Sequence, residues 1–265
     1  MTSADRHCRA IWLSDLHLGE RHCRARYLLH FLRYHHSEYL FLVGDIVDMQ
    51  ALKRRWHWPE EHQQILQLLR RKAKQGTKVI YIPGNHDDAL RDWVGSSIEQ
   101  VEIHREYVYH SPSHGKLLMV HGDEFDRQMC TSRLEGVMGD YAYDLVLMIN
   151  SLWNGVRRLF GKPYQSVART IKQWSPAAEA AMNRYRSLAV GKIKNTDFDG
   201  IVCGHIHNPE LLPVDGKLYI NTGDWLENCT AVLEHHDGRL ELSHYSEQTQ
   251  ELSAVAAPVN QPRTA

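Results

Sequence analysis

Five short blocks of aspartate, asparagine and histidine are spread along the 265-residue chain, and each block follows an apolar run. Carboxylates and neutral imidazoles are ligands of divalent metals such as Mn, Fe and Zn. One block alone would indicate only a loop cap, because most polar loop residues bond to the local backbone. Five blocks together indicate a metal centre. They are Asp15-x-His17, Gly44-Asp45, Gly84-Asn85-His86-Asp87, His121 and Gly204-His205-Ile206-His207.

The blocks supply enough ligands for two metal ions and one bridging carboxylate. Residues two apart on an extended segment point the same way, so the imidazoles of His205 and His207 can face one metal pair. Two ions about 3.5–4 Å apart polarise a phosphoryl group and activate water at neutral pH. The predicted ligands are Asp15, His17 and His207 for the first ion, Asn85, His121 and His205 for the second, and Asp45 as the bridge.

Three residues beside the predicted ligands are candidates for supporting roles. His86 can protonate a leaving group, or act as a cation that stabilises charge in the transition state. Asp87 can orient His86 or cap its own loop. Asp48 can hold a ligand histidine in place or cap the segment that follows it. The sequence leaves these alternatives open, and it predicts His86 and Asp87 as catalytic residues.

The elements that must position these residues follow from hydrophobic periodicity. Strand patterns alternate with helical patterns in the first third, which predicts a largely parallel sheet with ligands at the carboxyl ends of its strands. The predicted helices are 24–36 and 59–74. The predicted strands are 9–14, 38–43, 77–82, 101–110, 116–120, 198–203, 210–214, 217–221, 230–235 and 239–245.

Residues 124–194 carry helical periodicity and no strand pattern. This stretch is longer than an ordinary connection, so we predict a helical insertion or cap. Residues 247–265 are polar, contain proline and lack periodicity, which is typical of a disordered tail. We therefore expect one domain over residues 1–246, which includes the insertion, followed by a tail.

Two basic and aromatic segments are candidates for substrate contact. The first follows the Asp45 loop, where it can grip a phosphate and stack on a ring, although packing of its tryptophans on the body fits equally. The second lies in the insertion, where either core packing or contact with lipid fits an apolar stripe with basic flanks. The candidate residues are Arg54, Arg55, Trp56, Arg157 and Arg158.

Composition narrows the class of protein. The formal net charge is −1, so no overall basic field attracts nucleic acid. Five cysteines without a CxxC pair indicate neither a disulfide framework nor a zinc knuckle. The N-terminal residues lack the apolar core of a signal peptide, and no apolar run reaches the length of a membrane span. We expect a cytoplasmic protein, able to sit on the inner membrane surface, whose partner is a phosphorylated small molecule or lipid-linked substrate.

The ordered blocks resemble those of the calcineurin-like metallophosphoesterase superfamily, from Trp12 to His207. The resemblance implies an α/β (α+β) fold, namely a four-layer αββα metallophosphoesterase sandwich, here with a helical insertion or cap. It also implies two divalent metal ions, often Mn with Fe or Zn as alternatives, and hydrolysis of phosphate monoesters or diesters. The ligand roles given above agree with this family pattern at each matching position.

A narrower resemblance concerns the sequence from Ser14 to Gly19, Gly44-Asp45, the insertion after His121-Gly122-Asp123, and Asn221-Thr222-Gly223-Asp224-Trp225. These features are similar to the UDP-2,3-diacylglucosamine pyrophosphatases of lipid A synthesis, which usually carry Arg where this chain has His86. That resemblance implies cleavage at the α-phosphorus of a UDP-linked diacylated sugar, giving UMP and lipid X. The alternatives are hydrolysis of soluble phosphodiesters or nucleotides and, more remotely, an inactive interaction scaffold, which we would expect to have lost ligands.

Overall fold

In a computed structural model of the chain, two β-sheets stack face to face and helices cover their outer faces. The structure describes residues 6–129, 153, 157, 176–245 and 253–256. The strands are β1 (Arg6–Leu13), β2 (His35–Val43), β3 (Lys78–Ile82), β4 (Ser97–Ile98), β5 (Val101–Ile103), β6 (Tyr107–Ser111), β7 (Gly115–Met119), β8 (Gly200–Cys203), β9 (Glu210–Val214), β10 (Lys217–Asn221), β11 (Thr230–Glu234), β12 (Leu240–His244) and β13 (Ser253–Ala256). The helices are α1 (Ala25–Tyr34), α2 (Met49–Arg54), α3 (Glu60–Lys74), α4 (Asp126–Met129) and α5 (Pro176–Ile193), with 3₁₀ turns at Asp88–Trp93 and Asp123–Phe125.

The larger sheet has the order β13-β12-β11-β1-β2-β3-β5-β4, and the smaller one β6-β7-β8-β10-β9. Strands β1, β2, β3 and β5 run parallel to their neighbours in that group, as do β7, β8 and β10 in theirs. The remaining strands pair antiparallel. The predicted ligand blocks therefore begin at the carboxyl ends of parallel strands in both sheets.

Strand β1 shows why the predicted strands read as continuous apolar runs. Ile11 and Leu13 face a core shared with helices α1 and α3, whereas Trp12 faces a core between the two sheets. Successive side chains on a strand point to opposite faces, and both faces are covered here. A third core packs α5 residues such as Tyr185 and Val190 on the outer face of the small sheet. The result is the predicted α-β-β-α sandwich.

Helices α1 and α3 follow the predicted patterns closely. Leu28 and Leu32 of α1 and Ile65 and Leu69 of α3 are buried on the faces toward the large sheet. Helix α3 has glutamates in its first turn and basic residues in its last, which suits the helix dipole. Its end near Gly76, whose φ is +103°, matches the predicted stop.

The structure corrects two expectations about the strands. The single strand predicted over 101–110 is two strands in different sheets, since β5 pairs with β3 and β6 pairs with β7. The polar residues 104–106 carry the chain from one sheet to the other. The ligand blocks were also expected on the rim of one sheet. Instead β1, β2 and β3 supply three of them from the large sheet, and β7 and β8 supply two from the small sheet.

The insertion and the tail are only partly described. Helices α4 and α5 lie at the two ends of the predicted insertion, and residues 130–152, 154–156 and 158–175 lie outside the described residues. Within the predicted tail, Ser253–Ala256 form β13 and pair antiparallel with β12, so these four residues are not the aperiodic coil that was expected. The rest of the tail lies outside the described residues, and the predicted domain bounds remain a prediction.

Candidate metal centre

The predicted ligand blocks lie where strands end, and their backbone takes an uncommon conformation. Five of the seven predicted ligands have φ between 48° and 70°, in the left-handed region that residues other than glycine seldom adopt. Such conformations cost about 1–3 kcal/mol each and persist where the surrounding structure holds them. These five residues are Asp15, His17, Asp45, His205 and His207. We infer that the loops are held in shape to direct these side chains inward.

Glycines allow the loops to approach the ligands closely. A Cβ atom at Gly84 would collide with the carboxylate of Asp45, and one at Gly204 would collide with the carboxylate of Asp15. Gly44 has a φ of +83°, which only glycine adopts readily, and a Cβ there would meet the imidazole of His121. Of these three glycines, only Gly44 has left-handed backbone.

Asp15, His17 and His207 form the first cluster, with one ligand atom of each within 4.8 Å of the others. Asp15 Oδ1 lies 3.2 Å from His207 Nε2 and 3.9 Å from His17 Nε2. Asp45 Oδ2 also lies 3.9 Å from His17 Nε2, so the Asp45 carboxylate borders this cluster. All four side chains are buried.

Asp45, His121 and His205 form the second cluster, again within 4.8 Å of one another. Asp45 Oδ2 and Asn85 Oδ1 each lie 3.2 Å from His121 Nε2. Asp45 therefore stands between the two clusters, at the position predicted for a bridging ligand. The structure brings together all seven predicted ligands, and their role in holding metal is a prediction that this geometry supports.

The charges of the centre are arranged as a cation site. Burial lowers the pKa of the His17 imidazole, but the Asp48 hydrogen bond and nearby carboxylates outweigh burial and raise this pKa to about 9. Burial also lowers the pKa of the His121 imidazole, but the charge and hydrogen bond of Asp45 outweigh burial and raise this pKa to about 10. Burial likewise raises the pKa of Asp45, yet the charge and hydrogen bond of His121 hold it well below its usual range. The buried carboxylates thus favour positive charge at the place that a divalent cation would take.

The unpartnered atoms of the first cluster also fit a metal ion. His17 Nε2 is buried and has no hydrogen-bond partner among the described residues, although carboxylate oxygens of Asp15 and Asp45 lie 3.9 Å away. A buried polar atom without a partner is costly in a native fold. Metal–nitrogen and metal–oxygen bonds are about 2.0–2.2 Å long, so an ion between these atoms would satisfy all three. The donor set therefore fits a divalent metal.

The family comparison agrees with this donor set. The model of the calcineurin-like phosphoesterases matches residues 9–209, which is more than half of the chain. The chain belongs to the calcineurin-like phosphoesterase family. A comparison with curated proteins finds no match.

Solved structures similar to this calcineurin-like phosphoesterase include YfcE, a phosphoesterase from E. coli, at 12% identity, with 95% of this chain and 99% of that chain covered and a TM-score of 0.47. Vps29 from Cryptosporidium parvum is 15% identical, with coverages of 94% and 95% and a TM-score of 0.44. An archaeal phosphodiesterase is 14% identical, with coverages of 94% and 99% and a TM-score of 0.40.

Asp48 combines the two roles that the sequence left open. Its Oδ2 accepts a hydrogen bond from His17 Nδ1 at 2.9 Å, and its Oδ1 accepts one from the backbone N–H of Ala51 at 2.7 Å. The first contact orients a predicted ligand, and the second caps helix α2. His86 Nδ1 lies 3.0 Å from Asp48 Oδ1. Asp48, and not Asp87, is therefore the carboxylate beside His86.

Asp87 shows the contacts of a loop clamp. Its side chain is fully buried and accepts hydrogen bonds from the backbone N–H of Gly84 at 2.6 Å and of Ile46 at 2.8 Å, and from the hydroxyl of Tyr81. Burial and the Asp45 charge raise the pKa of this carboxyl group. These contacts tie the loop after β3 to the loop after β2, and they agree with the loop-cap alternative.

Sequence reasoning missed a set of residues that brace the calcineurin-like site. The Ser14 hydroxyl bonds to the Asp15 carboxylate and lies 2.5 Å from the hydroxyl of Thr222. Asn221 Nδ2 donates to the backbone carbonyl of Gly204 at 2.7 Å, which holds the loop before His205. The available signal was the polar run from Asn221 to Asp224, which begins at the last residue of strand β10.

The predicted substrate-contact residues lie at different places. Arg54 ends helix α2, Arg55 follows it, and Trp56 is 75% exposed. The Arg157 guanidinium carbon lies 6.0 Å from the ring centroid of Trp153, and Arg158 lies outside the described residues. Across the described part of the chain, no helix has the length and apolar character needed to cross a bilayer.

Proposed function

We propose that this calcineurin-like phosphoesterase hydrolyses a phosphoester or pyrophosphate bond with two divalent metal ions. The supporting observation is the meeting of seven donor side chains from five loops, with Asp45 belonging to the second cluster and bordering the first. When bound, the ions would polarise the phosphoryl group and activate water. Asp15, His17 and His207 would hold one ion, Asn85, His121 and His205 the other, with Asp45 between them.

The residues of the chain supply positioning and a proton. His86 is half-buried and stands with His17 and Asp45 in one group of ligand-range atoms. Its backbone N–H donates to Asp45 Oδ1 at 2.8 Å, which fixes the His86 loop against the predicted bridge. We propose that the imidazole donates a proton to the leaving oxygen, or stabilises charge there as a cation.

For the substrate, we propose a lipid-linked nucleotide sugar of the UDP-2,3-diacylglucosamine type. Support comes from the motif resemblance and from an apolar cavity of about 420 Å³ between helix α3 and strands β3 and β5. The cavity is lined by Ile46, Met49 and Tyr81, among others, and the Tyr81 hydroxyl bonds to Asp87 beneath the site loops. A cavity of this size and character suits part of an acyl chain.

A second candidate substrate is a soluble phosphodiester or nucleotide. It is favoured by a polar cavity of about 280 Å³ that is lined by Gly19, two residues after His17, and by arginines. A cleft with cationic walls suits anionic, water-soluble compounds better than acyl chains.

The deciding experiment is Mn²⁺-dependent hydrolysis of UDP-2,3-diacylglucosamine and, in parallel, of bis(p-nitrophenyl) phosphate, each with a chelated control. Release of UMP that chelation abolishes would support the lipid-linked substrate. Cleavage of the generic diester alone would favour the soluble substrate class. If metal-loaded protein cleaved neither compound, the proposed hydrolase would be contradicted and the scaffold alternative would gain.

A further inference from the structure

The polar cavity beside the metal centre has two walls. One is the loop of residues 19–22, and the other is the end of helix α2 with the residues after it, where Arg54, Arg55 and His57 contribute. Its volume is about 280 Å³, which is close to that of a small ligand site. Nothing in the proposed two-metal chemistry uses this cavity.

Both walls are anchored to the first half of the metal centre. The backbone N–H of Leu18 donates to the carbonyl of Ile46 at 2.9 Å, and that of Asp48 donates to the carbonyl of Leu18 at 2.9 Å. The backbone N–H of Gly19 donates to His62 Nδ1 at 3.0 Å, which ties the same loop to helix α3. Since His17 precedes one wall and Asp48 caps the helix that forms the other, the cavity keeps a fixed position relative to the metals.

The cavity concentrates positive charge in a chain whose formal net charge is −1. Arg21, Arg54 and Arg55 line it, and Glu20 is the one carboxylate among the lining residues. That carboxylate is engaged locally, because Glu20 Oε1 accepts a hydrogen bond from the backbone N–H of Arg21 at 2.8 Å and lies 3.9 Å from His22 Nε2. Guanidinium groups bind phosphate oxygens in a bidentate manner, so the donor set is suited to a phosphoryl group.

We propose that this cavity binds a second phosphoryl group of the substrate, so that the preferred substrates carry at least two. The inference rests on the proposed function, because the metals would hold the first phosphoryl group. Helix α2 rises about 1.5 Å per residue, which places Arg54 about 9 Å along the axis from Asp48. Arginine side chains can extend back toward Asp48 over part of this distance. The two phosphoryl groups of an accepted substrate can therefore be directly linked or up to about 10 Å apart.

The test measures, by calorimetry on Mn²⁺-loaded protein, how affinity depends on the spacing between two phosphonate groups. Alkane bisphosphonates with spacers of increasing length are compared with alkyl monophosphonates of matching length. We expect at least one bisphosphonate to bind about tenfold or more tightly than its monophosphonate, because charge-assisted hydrogen bonds contribute at both ends. The paired substitution Arg54→Gln and Arg55→Gln should abolish this advantage while leaving monophosphonate affinity and metal content unchanged.

Two further variants serve as controls. Arg71→Ala removes an equivalent exposed charge from the last turn of α3 and should keep the full advantage. The pair Arg54→Lys and Arg55→Lys keeps the charge without the planar guanidinium group. It should retain part of the affinity advantage of the bisphosphonate. The proposal is overturned if no spacer gives an advantage, or if the advantage survives in the Gln pair. Because binding is measured directly, this failure is distinct from an absence of hydrolysis, which would count against the proposed function instead.

Discussion

The two halves of the metal centre differ in how firmly their donor side chains are held. In the first half, Asp15 and His17 are buried, and Ser14 and Asp48 bond to them from behind. In the second half, His205 Nε2 lies 2.8 Å from Asp126 Oδ1, and the side chain of Asp126 is 50% exposed. In the first half, hydrogen bonds from behind hold Asp15 and His17 in place, whereas in the second half His205 contacts a half-exposed carboxylate from helix α4.

This difference bears on how the two metals would bind. A preorganised ligand set loses little freedom when the ion arrives, and carboxylates behind ligand histidines increase their affinity. We therefore expect the first half to bind its ion more tightly than the second. Because Asp45 borders both halves, it should couple them, and its removal should affect both ions.

The largest expected effect is that of Asp45→Ala. Loss of the shared carboxylate leaves His17 and His121 without their common partner, so both metals and all hydrolysis should be lost together. Metal content by mass spectrometry and turnover of bis(p-nitrophenyl) phosphate would be measured, with the exposed Asp92→Ala as control. A variant that kept two metals would show that Asp45 does not bridge the halves.

His86→Ala tests the residue that lies beside both halves without being needed as a ligand. We expect turnover to fall by about 10²–10⁴-fold, the range for a general acid or base, while metal content holds. The exposed His110→Ala serves as control. Normal turnover would refute the catalytic role, and loss of metal would instead make His86 a ligand.

The pH dependence of metal binding follows from the raised imidazole pKa values, about 9 for His17 and about 10 for His121. Both imidazoles hold protons at pH 7 in the metal-free protein, so metal binding must release them. Affinity should therefore rise by about tenfold per pH unit for each proton released, up to about pH 9. Conversely, the metal-free fold gains stability from these protons below about pH 6.5 and loses it as pH rises through about 9 to 10. Calorimetry in buffers of different ionisation enthalpy counts the protons, and a pH-independent affinity would contradict the account.

Asp48→Asn tests the bracing of the first half. Asparagine keeps the capping oxygen for helix α2 but removes the charge that orients His17. We expect the affinity of the tighter metal to fall by about 10–100-fold, as is usual for carboxylates behind metal ligands. Calorimetric titration with Mn²⁺ measures it, and an unchanged tight site would mean that Asp48 acts only as a helix cap.

The smallest effect is expected for Asp126→Asn. This half-exposed carboxylate is screened by solvent, so its loss should weaken only the second metal, by less than about tenfold. The same titration provides the measurement. If the first and tighter site weakened instead, the assignment of the two halves would be reversed.

Local sequence signals predicted most of the metal centre because each ligand block directly follows an apolar strand. Asp48 shows how far such signals reach, since its spacing from Asp45 indicated both of its observed contacts. The contact between Ser14 and Thr222 joins residues 208 positions apart and had no local signal. For the same reason, the periodicity of 101–110 did not reveal that its two ends pair in different sheets. Strand pairing is decided by distant partners, and periodicity reports only which faces are buried.

The most direct test of the central claim is hydrolysis of bis(p-nitrophenyl) phosphate as a function of Mn²⁺ bound per chain, starting from chelated protein. We expect no turnover without metal, little with the first equivalent, and full activity only when the second equivalent is bound near His121 and His205. Full activity with one equivalent, turnover without metal, or no turnover with two equivalents bound would contradict it.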